Sequence, residues 1–219
     1  MAAGRGWRPV RVLSGRVRPS PEIRVTRRRA QTRARLLDAA FDVFAAKGFG
    51  SATIEDVCSA AGFTRGAFYS NFDSMEELFY ALYERNAETI GAQVTQALSR
   101  PTRNLEEAIC RTVDALHLSR EWSLVRGDFV LYAARNPAVG AEWQRRQESL
   151  RAVLAARLAP AAAGANLPEP MRRPEDLARA AMLLYHGTMD AVLIEWDAEQ
   201  GRRWLAALLG AVLGVTPSG

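Results

Sequence analysis

The sequence predicts an all-α protein, with a small three-helix unit at the N-terminus and a larger helical bundle behind it. Three observations predict it. From residue 30 onward apolar residues recur at three- and four-residue spacing, and no stretch alternates as a half-buried strand would. Thr53 and Ser74 each precede an acid by three residues, the pattern of a capping box that opens a helix. Gly48, Gly62, Pro101 and Asn136-Pro137 stand where the periodic runs stop.

Composition sets the outer limits. The 219 residues are 48% hydrophobic and 24% charged, enough apolar material for a real core. No run approaches the 18 or so apolar residues of a membrane-spanning helix. The net charge of +5 conceals an asymmetry: residues 1–35 carry eleven Arg and only Glu22, while the remaining 184 residues hold eighteen basic and twenty-three acidic side chains. The basic charge is therefore a feature of one end. Cys58, Cys110, His117 and His186 stand at no metal-ligand spacing, and two isolated thiols fit a reducing cytoplasm. No nucleophile elbow, phosphate loop, zinc-protease or dinucleotide motif occurs, so the chain reads as no enzyme and no cofactor is expected.

Residues 1–29 are rich in Arg, Gly and Pro without periodicity and read as a disordered arm. Two other readings stay open there, a transit peptide and a translation start at Val25. A first helix is expected from about Ala30 to Lys47, with Leu36, Leu37, Ala40, Phe41 and Phe44 as its apolar stripe. Its Arg27, Arg28, Arg29, Arg33 and Arg35 stand where phosphates would be reached, or form an ordinary solvated charge run.

The stretch 53–72 reads as two short helices and a turn. Thr53 caps the first, Gly62 suits its left-handed end, and Thr64 caps the second. Phe68 and Phe72 are four apart and point inward together. The other face carries Arg65, Gly66, Tyr69, Ser70 and Asn71, small or polar residues able to reach phosphates and base edges. That is the surface a helix-turn-helix lays in a major groove. Further helices are expected over about 74–98, 104–118, 121–135, 138–159, 175–197 and 202–213, with a long Ala-, Pro- and Gly-rich loop at 160–174. The last helix is apolar over much of its circumference and must be covered on several sides.

Residues 32–78 resemble the DNA-binding domain of the TetR family of bacterial transcriptional regulators. The resemblance is carried by Ala39-Ala40, Phe44, Gly48-Phe49, Thr53-Ile54, the run from Ala61 to Tyr69, Asn71-Phe72 and Glu77-Leu78. It covers about a fifth of the chain. Met75 departs from the family, which commonly has a Lys there, and so one phosphate contact is not expected. The resemblance implies a TetR-like, all-α protein: an arm over 1–29, a helix-turn-helix domain over 30–75 and a ligand-binding and dimerisation domain over 76–219. It implies a homodimer through the last two long helices, bound to a double-stranded DNA operator and released by a small-molecule effector. The residues placed on DNA are Thr53, Thr64, Arg65, Gly66, Ala67, Tyr69, Ser70, Asn71 and Ser74. Those placed on the effector, as aromatic or polar-tipped residues on apolar helices, are His117, Trp122, Phe129, Tyr132, Tyr185, His186, Met189 and Asp190. Three other readings stand beside this one: a ligand-independent regulator of the same fold, a non-specific DNA-binding protein and a small helical enzyme.

Overall fold

The computed structural model describes residues 21–164, 167 and 171–215. Every regular element among them is helical: α1 Pro21–Lys47, α2 Ile54–Ala61, α3 Arg65–Tyr69, α4 Met75–Ala97, α5 Leu105–Asp114, α6 Arg120–Arg135, α7 Pro137–Gly164, α8 Pro174–Ile194 and α9 Ala198–Val212, with a 3₁₀ turn at Phe49–Ser51. Helix α1 starts nine residues before the expected Ala30. Proline is tolerated at a first helical position, and Arg propagates a helix well, so the Arg run extends the helix rather than fraying it. Residues 1–20 of the expected arm lie outside the described residues. At the other end, α7 passes through Pro160 to Gly164, so the expected loop is shorter than its composition suggested. Buried Leu167 packs with Leu177 between α7 and α9.

Helices α1, α2 and α3 close over Leu36, Leu37, Ala40, Phe44, Val57, Phe68 and Phe72, all nearly inaccessible. Phe68 and Phe72 meet at 5.9 Å, as their spacing predicts. This core continues without a break into α4 and α6. Phe79 of α4 and Phe129 of α6 stack at 3.6 Å and 7°, and Phe49 meets Phe129 edge-on at 4.9 Å. The N-terminal unit is thus seated on the bundle through one aromatic block. Met75, the departure noted above, packs partly on the same core, which is what a Lys there would not do.

The seam is also pinned by a backbone device. Gly48 ends α1 at φ 78°, ψ 152°, a conformation essentially restricted to glycine. A Cβ there would stand 2.3 Å from Asp128 Oδ2, the atom that accepts the Phe49 N–H at 3.1 Å. Gly48→Ala should therefore lose both the relaxed backbone and the clasp to α6, at a cost of about 2–4 kcal/mol. Equilibrium urea unfolding checks this, and a loss below about 1 kcal/mol would show that Asp128 simply swings aside.

Candidate nucleic-acid interface

Each end of the α2–turn–α3 unit is closed by its own residues. Thr53 Oγ1 accepts the Asp56 N–H at 3.2 Å, and Asp56 Oδ2 accepts the Thr53 N–H at 3.1 Å, a complete capping box. Lys47 Nζ donates to the other Asp56 oxygen at 2.6 Å, which with Thr53 holds the Asp56 carboxyl below its ordinary range. Gly62 takes the left-handed conformation at φ 71°, and the Phe63 N–H turns back to the Cys58 carbonyl at 2.9 Å. Thr64 Oγ1 accepts the Ala67 N–H and opens α3. At the start of α4, Ser74 Oγ accepts the Glu77 N–H, while Glu77 reaches Asp73 rather than Ser74 itself. Thr53, Thr64 and Ser74 are thus cap residues first. Their hydroxyls are committed as acceptors; that of Thr53 also donates to Asp56 Oδ2 at 2.9 Å and that of Ser74 turns to the Glu76 carboxylate, which leaves Thr64 with a proton to donate.

The outer face of α3 presents Arg65, Gly66, Tyr69 and Ser70, and Tyr69 is 48% exposed although its neighbour Phe68 is fully buried. Arg65 Nη1 donates to Glu55 Oε1 of α2 at 2.5 Å, and Nη2 lies 3.4 Å from the Tyr69 hydroxyl. The guanidinium is held in position over the exposed face by an ion pair that solvent screens. At Gly66 an added Cβ would meet only Thr64 Oγ1, at 3.7 Å, so this part of the backbone is open to close approach. Ala67 is half-buried between the two faces. Ser70 Oγ donates to the Gly66 carbonyl, and the hydroxyl oxygen stays outward as an acceptor.

Asn71 differs from the reading that put it beside Arg65 and Tyr69. Its Nδ2 donates to the Ala67 carbonyl at 2.8 Å, and its Oδ1 is buried without a partner. The side chain closes the last turn of α3 with one amide hydrogen, and the half-buried Nδ2 keeps its second.

The arginines of α1 take a role that spacing did not reveal. Arg35 Nη2 donates to the Ala61 carbonyl at 2.9 Å, with its guanidinium 4.8 Å over the Phe63 ring. Arg29 Nη2 donates to the Ser70 carbonyl at 3.1 Å, and Arg33 lies 4.9 Å over the Phe72 ring. The carbonyls are those at the C-terminal ends of α2 and α3, where a cation is favoured by the helix dipole. Arg29 and Arg33 therefore brace the end of α3 and Arg35 the end of α2, although all three are exposed, as Arg28 is. Replacing Arg35 by Met should weaken DNA binding on every sequence by a common factor of about 3–10 and lower stability by about 1 kcal/mol. The slope of log affinity against log salt should stay unchanged. A slope reduced by about one unit would make Arg35 a phosphate ligand instead.

The residues expected around an effector separate into groups. His117 and Trp122 line a cleft of about 290 Å³ together with Phe41, Leu82, Arg85, Asn86 and Thr89, between α1, α4 and the start of α6. Phe129 belongs to the aromatic block, and Tyr132 beside it donates to Glu76 Oε1 at 2.7 Å. Met189 is fully buried in the main core. Tyr185 donates to the His117 carbonyl at 3.1 Å, and Asp190 accepts from Arg126 Nη2 at 2.8 Å. Burial first, then the Arg126 charge, pushes His186 down to about 4, so it is neutral near pH 7. Arg126 itself, 8% exposed, was given no role by the sequence, since nothing in its spacing marks an arginine as buried.

Residues 36–82 match the family model of the bacterial regulatory proteins, tetR family. The HTH-type transcriptional regulator SrpR of Pseudomonas putida is 33% identical over 87 residues, 40% of this chain and 40% of that protein. The chain thus spans less than two thirds of the length of such relatives. A solved TetR-family regulator from Rhodococcus sp. superposes with a TM-score of 0.70 at 18% identity, over 84% of this chain and 99% of that one. A regulator from Saccharomonospora viridis, solved with choline, gives 0.61 at 17%, over 82% and 96%. The bundle fold extends the likeness beyond the helix-turn-helix, and the sequence match falls on α1 to α4, where the caps, the glycine turn and the inward Phe pair were found. Over that domain the chain is similar to the bacterial regulatory proteins of the tetR family, and over most of its length it shares their fold.

Proposed function

We propose that the chain is a homodimeric, cytoplasmic transcriptional regulator, a repressor that leaves a palindromic operator when a small effector binds. The observation that carries the DNA-binding part is the outward face of α3: Arg65, Gly66, Tyr69 and Ser70 exposed on a helix whose end is held by Arg29, while Arg35 holds the end of α2 before it. A helix so exposed and so fixed suits the major groove, with Arg65 and Tyr69 toward bases and Thr53, Thr64, Ser70 and Ser74 toward phosphates, Thr53 and Ser70 by turning their hydroxyl protons out from Asp56 and Gly66. The dimer reading is supported by a stripe on α8, where Leu183 is 67% and Ile194 89% exposed with Gly187 between them. On α9, Trp204 is half exposed and stacks on Trp196. Large apolar side chains at that exposure on two adjacent helices call for a cover, and a second copy supplies a matching stripe. No helix among the described residues is long and apolar enough to cross a membrane.

Two recognition helices related by a two-fold axis would read half-sites about 34–36 Å apart. Release requires an effector that binds better to a conformation with the wrong spacing. Helix α4 is the proposed lever, since it is anchored in the aromatic block by Phe79 and tied to α6 through Glu76.

The test is selection of bound fragments from the source genome by the purified protein near physiological salt. Recovery of one palindrome is the expected result. Binding spread evenly over all fragments would leave a non-specific binder, with the Arg-rich end as its affinity source.

A further inference from the structure

Behind the cleft lies a cluster of polar side chains that the helix-turn-helix does not use. Tyr83 of α4 is packed between two tryptophans, Trp122 of α6 at 5.9 Å and Trp143 of α7 at 4.7 Å. One helical turn beyond each tryptophan, on the same helix face, stand Arg126 and Gln147. Arg126 is the cation of this cluster, its side chain 9% exposed, and its one bond is to Asp190, which is 61% exposed. Arg126 Nε and Gln147 Nε2 are both buried; Arg126 Nε has no hydrogen-bond partner, and Gln147 Nε2 has none in good geometry beyond the Tyr83 hydroxyl it turns toward. Burial pushes the Tyr83 phenol up, against smaller downward pulls from Gln147 and then Arg126, so both groups act on one hydroxyl. His186 on α8 is neutral and adds no charge.

Buried N–H donors without acceptors are rare in native proteins and ask for a missing partner. The Arg126 guanidinium, through its free Nε–H, and the Gln147 amide, beside the Tyr83 hydroxyl, suit an acceptor with two oxygens and a negative charge. The surrounding walls are aromatic: Trp122, Trp143, Tyr83 and Tyr185. We propose that Arg126, Gln147 and Tyr83 bind the carboxylate of a small organic acid whose apolar body lies among these rings, and that this acid is the effector. The proposal rests on the regulator reading above and names its ligand class. A cation such as the choline of the Saccharomonospora protein would be repelled by Arg126. The acid competes with Asp190 for Arg126, and Asp190 lies between Gly187 and Ile194 on the exposed stripe of α8, so binding reaches the proposed subunit face directly.

The test uses the full chain and a panel of monocarboxylates spanning benzoate, phenylacetate and octanoate, each against its uncharged primary amide. Melting temperature and tryptophan fluorescence report binding, since Trp122 and Trp143 flank Tyr83. At least one acid should raise the melting temperature where its amide does not. Arg126→Gln should weaken that acid by about 10–100-fold, the worth of a hydrogen bond to a charged group. Gln147→Glu places a carboxylate beside Arg126 from within and should abolish the response while the protein stays folded. Equal responses to acid and amide, no response to any acid, or an unchanged response in both variants would overturn the proposal. Operator titration without ligand on the same preparation separates the two readings. Specific operator binding with no acid response removes the organic acid and leaves the regulator. An acid response lost in Arg126→Gln, without operator binding, does the reverse.

Discussion

Phe129→Ala is expected to cost about 3–5 kcal/mol, the range for deleting a large buried aromatic. Phe129 is fully buried and touches three parts of the chain at once. It stacks on Phe79 of α4 at 3.6 Å, meets Phe49 beyond α1 at 4.9 Å, and meets Trp143 of α7 at 5.4 Å. The cavity left behind is walled by rings on separate helices, which cannot collapse into it without moving α4 against α6. For a chain of this length the melting temperature should fall by on the order of 10 °C, measured at fixed protomer concentration. Phe129→Leu keeps most of the volume and should cost less than about 1.5 kcal/mol. The seam also joins the N-terminal unit to the bundle, so Phe129→Ala should broaden the unfolding transition as the two parts melt separately. A loss under 1 kcal/mol would mean that the aromatic block does not couple the two parts.

The Arg65→Ala, Tyr69→Ala double change is expected to leave stability within about 1 kcal/mol, because both side chains are exposed and the Arg65–Glu55 pair is screened. Its effect on DNA should be large. In the proposed dimer on a palindrome two side chains are removed in each half-site, and at roughly 1 kcal/mol for each contact the sum is about 4 kcal/mol, or a thousandfold in specific affinity. Weak binding to unrelated DNA should remain. The salt slope decides what each residue does: a base contact leaves it unchanged, whereas a phosphate contact lowers it by about 0.9. Unchanged operator affinity in the double variant would remove α3 as the recognition element.

The elements around the interface were legible in the sequence because they rest on local contacts. Thr53 with Asp56, Thr64 with Ala67 and Ser74 with Glu77 are all three residues apart, and Gly62 answers a backbone angle at one position. Phe68 and Phe72 declare an inner face by helical geometry alone. What spacing did not reveal for Asn71 is that its amide also turns back to the Ala67 carbonyl.

The sequence by itself determined that the chain is helical, where the helix-turn-helix lies, and which face of α3 turns outward, since capping, periodicity and left-handed glycine act within a few residues. Tertiary structure alone decided what each arginine touches, and that Arg126 is buried while Arg29 and Arg35 make their contacts at the surface. Arg35 meets Ala61 across 26 positions, Arg29 meets Ser70 across 41, Arg126 meets Asp190 across 64 and Phe49 meets Asp128 across 79. An arginine carries the same charge and the same helix propensity in each setting. What separates a phosphate ligand, a helix clamp and a buried anion receptor is the set of neighbours that packing brings to it, and no local pattern encodes that set.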